Sequence, residues 1–155
     1  MKRVLFLCIG NSCRSPMAEG FARRYGSDVM EAFSAGIAPA AIVQPLTKKV
    51  MEAKNINIDE ISPKELSLLD ISGFDLIVNM TNRPFPMRVP IEVRDWKLED
   101  PIGKEEETYV KVRDEIEMLV MSLILEFRRD TRRAEMARTG ETHMLPERVA
   151  RPRSK

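Results

Sequence analysis

The segment from Leu5 to Gly20, LFLCIGNSCRSPMAEG, carries a thiol and a guanidinium at a spacing that suits phosphate chemistry. Five residues separate Cys8 from Arg14, the pattern C-x5-R. Backbone N–H groups of such a loop can curl around one point and bind an anion, and an arginine adds a planar fork that grips two oxygens of a tetrahedral oxyanion. Gly10 and Asn11 tolerate the tight backbone that this requires. The pattern predicts an oxyanion-binding loop.

The thiol of Cys8 would lie in a positive field, because Arg14 and the N-terminus of a helix beginning at Ser15 point to the same place. In that field we expect the thiolate at neutral pH, placed to attack a bound phosphorus atom. A lone cysteine at a strand end is more often a buried core residue, and C-x5-R alone arises by chance. The preceding strand, the Gly-Asn pair and the following Ser-Pro helix start favour the catalytic interpretation.

The rest of the chain supplies alternating strands and helices that would position this loop. Short apolar runs predict strands at 2–7, 29–36, 74–80 and 92–96. Helical spacing and start signals predict helices at 15–26 (with Ser15 as N-cap), 45–55, 62–71 and 105–130. This order predicts a single α/β domain with a central, mainly parallel, four-stranded sheet and helices on both faces. Ligands of such folds bind beyond the carboxyl ends of the strands, where Cys8 lies.

Composition narrows the class of protein. The 155 residues suit one domain, and 43% hydrophobic with 32% charged residues is typical of a globular protein. No apolar run has the length of a membrane span, and the apolar run after Met1 is too short for a signal peptide. The only two cysteines, Cys8 and Cys13, form no disulfide framework and fit a reducing cytoplasm. His143 is the only histidine, so the sequence has too few cysteines and histidines for a structural zinc site. We expect no metal, no cofactor and no membrane association.

Charge divides the chain into two parts. Residues 128–155 hold nine Lys or Arg and four Asp or Glu, whereas the whole chain has a net charge of only +1. We therefore expect a catalytic domain at 1–127 and a basic, flexible tail at 128–155. Acids are interspersed with the arginines of the tail and no aromatic residue accompanies them, so nucleic-acid binding is not expected.

The segment CIGNSCRSPMAEG resembles the loop of the low-molecular-weight protein tyrosine phosphatases and of the arsenate reductases that share their fold. FSAG, FDLIV, WKLEDPIG and VRDEI follow in the order of that superfamily, so the resemblance covers about residues 2–127. It implies that Cys8 is the nucleophile, Arg14 the phosphate clamp and Ser15 the hydroxyl that hydrogen-bonds the thiolate. It also implies that Asp100 protonates the leaving oxygen and then activates water, a role that a poor leaving group requires.

The same resemblance assigns the remaining loop residues to substrate binding: Ile9, Gly10, Asn11, Ser12 and Cys13, with Asn11 holding the loop in shape. One branch of the superfamily binds a cation beside Asn11, Glu19 and Ser34, where Lys64 would supply a positive charge of its own. Cys13 has two interpretations, a small buried residue behind the loop or the partner of Cys8 in a reversible disulfide formed under oxidation.

Three functions remain open. The first is a cysteine-dependent phosphomonoesterase acting on a phosphorylated protein or a small phosphate ester through a cysteinyl-phosphate. The second is an arsenate reductase that takes arsenate and uses a small-molecule thiol or another external reductant, because the segment NMTNRPFP lacks the distal cysteine pair of the thioredoxin-coupled type. The third is a redox sensor or oxyanion-binding module, against which the presence of both Cys8 and Asp100 argues. Ile102 and Gly103 follow the Asp-Pro pair where phosphotyrosine enzymes usually carry aromatics, and we expect a monomer.

Overall fold

The computed structural model describes residues 1–140 and contains four strands and three α-helices. In chain order they are β1 (Lys2–Cys8), α1 (Arg14–Gly26), β2 (Met30–Gly36), α2 (Pro45–Glu52), β3 (Leu76–Asn79), β4 (Glu92–Asp95) and α3 (Glu106–Thr139). The sheet order is β2-β1-β3-β4, and every neighbouring pair is parallel. The predicted single α/β domain with a four-stranded parallel sheet is confirmed.

Strand β1 lies inside the sheet and is covered on both faces, which explains its continuous apolar sequence. Val4, Leu5, Phe6 and Leu7 are fully buried. Val4 and Phe6 face the larger core, which contains residues of α1, α2 and α3, whereas Leu5 and Leu7 face a smaller one. Because both neighbours of β1 are parallel to it, Cys8 ends at the carboxyl edge of the sheet.

The second face is covered by two 3-10 turns, Leu66–Leu68 and Ile71–Gly73, so the predicted α-helix at 62–71 is wrong. The cause is a tertiary contact. The N–H of Gly36 donates to the carbonyl of Lys64 at 2.8 Å, and Glu65 forms a parallel bridge with Gly36. That bridge requires extended backbone, and Glu65 has φ −86° and ψ 139°. A helix beginning at Ser62 cannot satisfy it.

Helix boundaries also differ from the prediction, and α2 ends at Glu52 and not at residue 55. Helix α1 begins at Arg14 with Cys13 at its N-cap, so Ser15 lies inside the helix and is not its cap. Helix α3 continues past the predicted end at Asp130 to Thr139, where Gly140 adopts a left-handed conformation (φ 78°) and ends it. The last buried residue of α3 is Phe127. Residues 141–155 of the expected tail, with His143, lie outside the described residues.

No helix within residues 1–140 has the length and apolar composition that a membrane crossing requires.

Candidate active site

The loop between β1 and α1 encloses a cleft of about 210 Å³ at the carboxyl edge of the sheet. Asp100, from the segment after β4, and Ile102 form the opposite wall, and Ala38 and Ala40 complete the rim. Among the residues predicted for the site, the cleft is lined by Cys8, Ile9, Gly10, Ser12, Cys13, Arg14 and Asp100. Asn11 and Ser15 are fully buried and do not line it.

The segment after β2 orients the peptide groups of the loop. Its backbone N–H groups donate to successive loop carbonyls: Ile37 to Cys8 at 3.2 Å, Ala38 to Ile9 at 2.9 Å, Ala40 to Gly10 at 2.9 Å and Gln44 to Ser12 at 3.0 Å. The two polar groups of a trans peptide point in opposite directions. Carbonyls held outward therefore turn the N–H groups of the following residues toward the cleft.

Two further features of this segment serve the same purpose. The hydroxyl of Thr47, which is fully buried, donates to the Ser12 carbonyl at 2.9 Å and gives it a second donor. Pro39, which lacks an N–H, falls between the donors Ala38 and Ala40. Residues 37–47 were not predicted to belong to the site, because a segment of small and aliphatic residues with two prolines carries no signal for this role.

Asn11 connects the loop to the layer behind it. It has a left-handed backbone with φ 51°, a conformation that asparagine adopts more easily than most residues. Its Oδ1 accepts the Lys64 N–H at 3.0 Å, which fixes the orientation of the amide. Its Nδ2 then donates to the hydroxyls of Ser15 at 2.8 Å and Ser34 at 3.0 Å.

The Asn11 amide favours one direction for the hydrogen bond to the candidate nucleophile. Ser15 Oγ accepts from Asn11 and can donate its own proton to Cys8 Sγ at 2.9 Å, a shorter contact than the 3.5 Å to the Ala35 carbonyl. Cys8 is 2% exposed. A thiolate accepts hydrogen bonds and donates none, so this arrangement suits an ionised Cys8.

A buried charge cluster supports Asn11 from behind. Glu19, 2% exposed, accepts the Ser34 hydroxyl proton and pairs with Arg23. Burial raises the pKa of Glu19, against the opposing effects of Ser34, Arg23 and Lys64. The Lys64 ammonium donates to the carbonyls of Ser34 at 3.1 Å and Ser62 at 2.9 Å, and burial lowers its pKa. A positive charge of the chain itself therefore lies beside Ser34 and Glu19.

One nitrogen of the Arg14 guanidinium has no hydrogen-bond partner in the described part of the chain. Its side chain is 3% exposed, with Nη1 donating to the Met80 carbonyl at 2.6 Å and Nη2 lying 3.2 Å from Asp100 Oδ2. Nε is the one buried side-chain nitrogen or oxygen without a hydrogen-bond partner among residues 1–140. Since an unsatisfied buried donor is costly, this N–H suits an anion bound in the cleft.

Asp100 lies on the other side of that cleft. Its Oδ1 accepts the Ile102 N–H at 3.2 Å, which holds the turn after Pro101, while its side chain is 41% exposed. A carboxyl group held in this way can reach both a bound anion and water.

The two cysteines differ in their surroundings, and both are free. Cys13 is 3% exposed, and its thiol donates to the Tyr109 hydroxyl at 3.7 Å. Burial raises the pKa of Cys13, with partial compensation by its hydrogen bonds to Thr47, Tyr109 and Ser12. Burial also raises the pKa of Tyr109 above its usual range. Cys13 is therefore a protonated thiol at neutral pH.

Neither Trp96 nor Phe85 lines the cleft. Trp96 packs against Phe6 with ring centroids 5.9 Å apart, and Phe85 packs against the smaller core. Among residues 1–140, no group of three or more His, Cys, Asp or Glu side chains is arranged to hold a metal ion.

Comparison with known proteins adds independent information. Residues 3–133 match the family model for low molecular weight phosphotyrosine protein phosphatase. A glutaredoxin arsenate reductase of Synechocystis sp. is 34% identical over 129 residues, which cover 80% of this chain and 97% of that protein.

Two solved structures have similar folds. An arsenate reductase in the reduced state superposes with a TM-score of 0.75 at 31% identity, covering 82% of this chain and 99% of its own. The YwlE arginine phosphatase from Geobacillus stearothermophilus also has a TM-score of 0.75, at 26% identity, covering 84% and 95%. Both phosphatases and arsenate reductases are thus similar to this chain.

Proposed function

The chain belongs to the low molecular weight phosphotyrosine protein phosphatase family, and on that premise we propose that it is a cysteine-dependent phosphomonoesterase. The substrate is a phosphorylated protein or a small phosphate ester. The observation that carries the proposal is the unpartnered Nε–H of Arg14, buried in the same cleft as Cys8 and Asp100. This combination offers a nucleophile, an oxyanion clamp and a proton donor around one vacant point.

The first step transfers the phosphoryl group to the enzyme. The Cys8 sulfur attacks phosphorus, a P–S bond forms and the ester P–O bond breaks, while Asp100 gives its proton to the leaving oxygen. The loop N–H groups and Arg14 hold the three non-bridging oxygens throughout, and they need no reorganisation because residues 37–47 already orient the loop. A phosphate group also competes with Asp100 for Arg14, which frees the carboxyl group to act.

The second step regenerates the enzyme. Asp100, now a carboxylate, accepts a proton from water as the water oxygen attacks phosphorus and the P–S bond breaks. The departing sulfur returns as a thiolate that accepts the Ser15 hydrogen bond. The hydroxyl therefore stabilises the Cys8 thiolate both as the leaving group of this step and as the nucleophile of the first.

The rim supports a broad class of phosphate esters and gives no reason for a phosphotyrosine preference. Ile102, which is 46% exposed, stands beside Ala38 and Ala40 at the cleft. These side chains are aliphatic, so they offer apolar contact but no surface on which a phenyl ring would stack.

Arsenate reduction is the second candidate, favoured by the names of several relatives. Reduction of arsenate to arsenite takes two electrons, which two thiols supply by forming one disulfide. Cys8 is one thiol, and Cys13 is the only other cysteine in the chain. Because burial keeps Cys13 protonated, it is a poor resolving nucleophile. This route therefore needs an external thiol to attack and then regenerate Cys8.

A parallel assay separates the two activities. We expect hydrolysis of para-nitrophenyl phosphate without a divalent metal, and arsenite formation only with an added thiol donor. Cys8→Ser should abolish hydrolysis because a serine hydroxyl is not ionised there, and Arg14→Lys should lose most of it because an ammonium cannot grip two oxygens. Hydrolysis that survives Cys8→Ser, or that requires a metal, contradicts the proposal. Arsenite production with a higher kcat/KM than hydrolysis would favour the second candidate.

A further inference from the structure

The outward face of α3 changes charge along its length. Near the N-terminus it exposes Glu107, Asp114 and Glu115, and near the C-terminus Arg129, Arg132 and Arg133. In a helix of 3.6 residues per turn these positions all fall on the side turned away from the core. Lys111 interrupts the acidic half and lies 3.9 Å from Glu99 of its own chain. Asp114 pairs with Arg113 at 2.8 Å, and Arg133 lies 3.9 Å from Asp130.

Two large apolar side chains lie between the acidic and basic halves. Met118 is 74% exposed and Leu125 is 49% exposed, whereas the apolar residues on the inner side of the same helix, such as Ile116 and Ile124, are fully buried. They are seven residues apart, two turns of the helix, and therefore point in the same direction. The midpoint between them falls close to Ser122.

The basic half also extends beyond the protein body. Phe127 is the last buried residue of α3, and the following twelve helical residues span about 18 Å. The Arg128 guanidinium donates two hydrogen bonds of 2.9 Å to the Asp28 carboxylate. Beyond it, every residue from 129 to 139 except Met136 is exposed. An isolated helical end of this length is marginal in water, so a partner would stabilise it.

We propose that α3 pairs antiparallel with α3 of a second copy of the chain, centred near Ser122. In this arrangement Met118 of each copy meets Leu125 of the other, which covers all four exposed side chains. Asp114, which also pairs with Arg113 of its own chain at 2.8 Å, then lies opposite Arg129 of the other copy. Glu107 lies within one turn of Arg132 and Arg133, whereas Lys111 lies opposite Arg132. The same surface is acidic at one end and basic at the other, so only the antiparallel orientation matches unlike charges.

The dimer is weak, because its apolar centre is small and its ion pairs are exposed to solvent. Association therefore depends on concentration, and it decreases with salt because the Debye length falls from about 10 Å at 0.1 M to about 3 Å at 1 M. A monomer, which the sequence analysis predicts, is expected only in dilute solution.

Sedimentation velocity of the full chain over a concentration series tests the proposal. The mass should rise from one chain of 17.8 kDa toward two. Leu125→Glu should weaken dimerisation at least about tenfold, because it buries an unpaired charge at the centre of the contact. The matched control is Leu68→Glu, which changes a 78% exposed leucine on the opposite face of the sheet and should leave the dissociation constant unchanged.

Charge reversal gives a second readout that misfolding cannot imitate. Chains with Arg129→Glu and Arg132→Glu, or with Glu107→Arg and Asp114→Arg, should each be monomeric, whereas an equimolar mixture should recover the dimer. The proposal is overturned if the wild-type mass stays at one chain at all concentrations. It is also overturned if Leu68→Glu dissociates the dimer as Leu125→Glu does, or if the mixture of reversed chains stays monomeric.

Discussion

Replacing Gly36 with alanine should impair the loop without removing any group that contacts phosphate. Gly36 ends β2 directly opposite Cys8 in the sheet register. A Cβ built there would lie 2.7 Å from the Ile9 carbonyl oxygen and 3.0 Å from both the backbone nitrogen and the Cβ of Asn11. Ordinary van der Waals contact begins near 3.4 Å, so the Ile9 carbonyl must move by about 0.7 Å.

The loop cannot absorb this movement cheaply. The Ile9 carbonyl is bonded to the Ala38 N–H at 2.9 Å, and Asn11 is fully buried with both amide nitrogen protons engaged. Misplacement of a site by about 1 Å can cost about a hundredfold in rate. We therefore expect kcat/KM of Gly36→Ala to fall by about 10- to 100-fold, or about 1.4–2.7 kcal/mol. Overpacking should also lower the free energy of unfolding by about 1–3 kcal/mol.

Steady-state hydrolysis of para-nitrophenyl phosphate and the inhibition constant of inorganic phosphate measure the effect, with urea unfolding in parallel. Gly20→Ala is the matched control. Its Cβ would meet Ile58 Cγ2 at 2.8 Å and Met51 Cε at 3.0 Å, so it crowds the core but not the loop. It should retain kcat/KM. Wild-type catalysis and phosphate affinity in Gly36→Ala would refute the reasoning, as would an equal loss of activity in Gly20→Ala.

Four further outcomes are expected. Asp100→Asn should slow hydrolysis of alkyl phosphates by about 10²–10⁴-fold and that of para-nitrophenyl phosphate less; equal losses in steady-state assays would assign Asp100 a structural role. Thr47→Val should raise the inhibition constant of phosphate by removing one donor to the loop, and Thr47→Ser should restore it. Iodoacetate at pH 7 should modify Cys8 before Cys13, whose pKa burial raises, as peptide mass mapping will show; equal modification contradicts this. Because burial raises the pKa of Tyr109, the phenolate is disfavoured in the folded state. The free energy of unfolding should therefore decrease as the pH rises above about 10, where tyrosine in the unfolded chain ionises. Urea unfolding should show a smaller decrease with pH for Tyr109→Phe than for the wild type.

The sequence predicted the four strands and most of α1, α2 and α3, because their signals are local. The apolar run of β1 is buried on both faces by any parallel sheet, and the Ser-Pro pair marks a helix start to within one residue. The helix predicted at 62–71 failed for a different reason. Its Ser-Pro signal is equally good, but Gly36 requires an extended backbone at Lys64 and Glu65, and no pattern within the segment reports that requirement.

The chemistry of the site divides in the same way. The thiol, the guanidinium and the small residues between them are contiguous, so C-x5-R, together with the strand before it and the Ser-Pro helix start after it, predicted an oxyanion loop from local sequence. Only the tertiary structure decided what holds that loop open, since the donors to its carbonyls come from residues 37–47 and the amide of Asn11 is oriented by Lys64. The tertiary structure also gives the two cysteines different surroundings. Cys8 lies beside Ser15, whereas the thiol of Cys13 is hydrogen-bonded to Tyr109, 96 residues further along the chain. Reactivity depends on burial and on hydrogen-bond partners, and both are set by residues distant in sequence that the fold brings together.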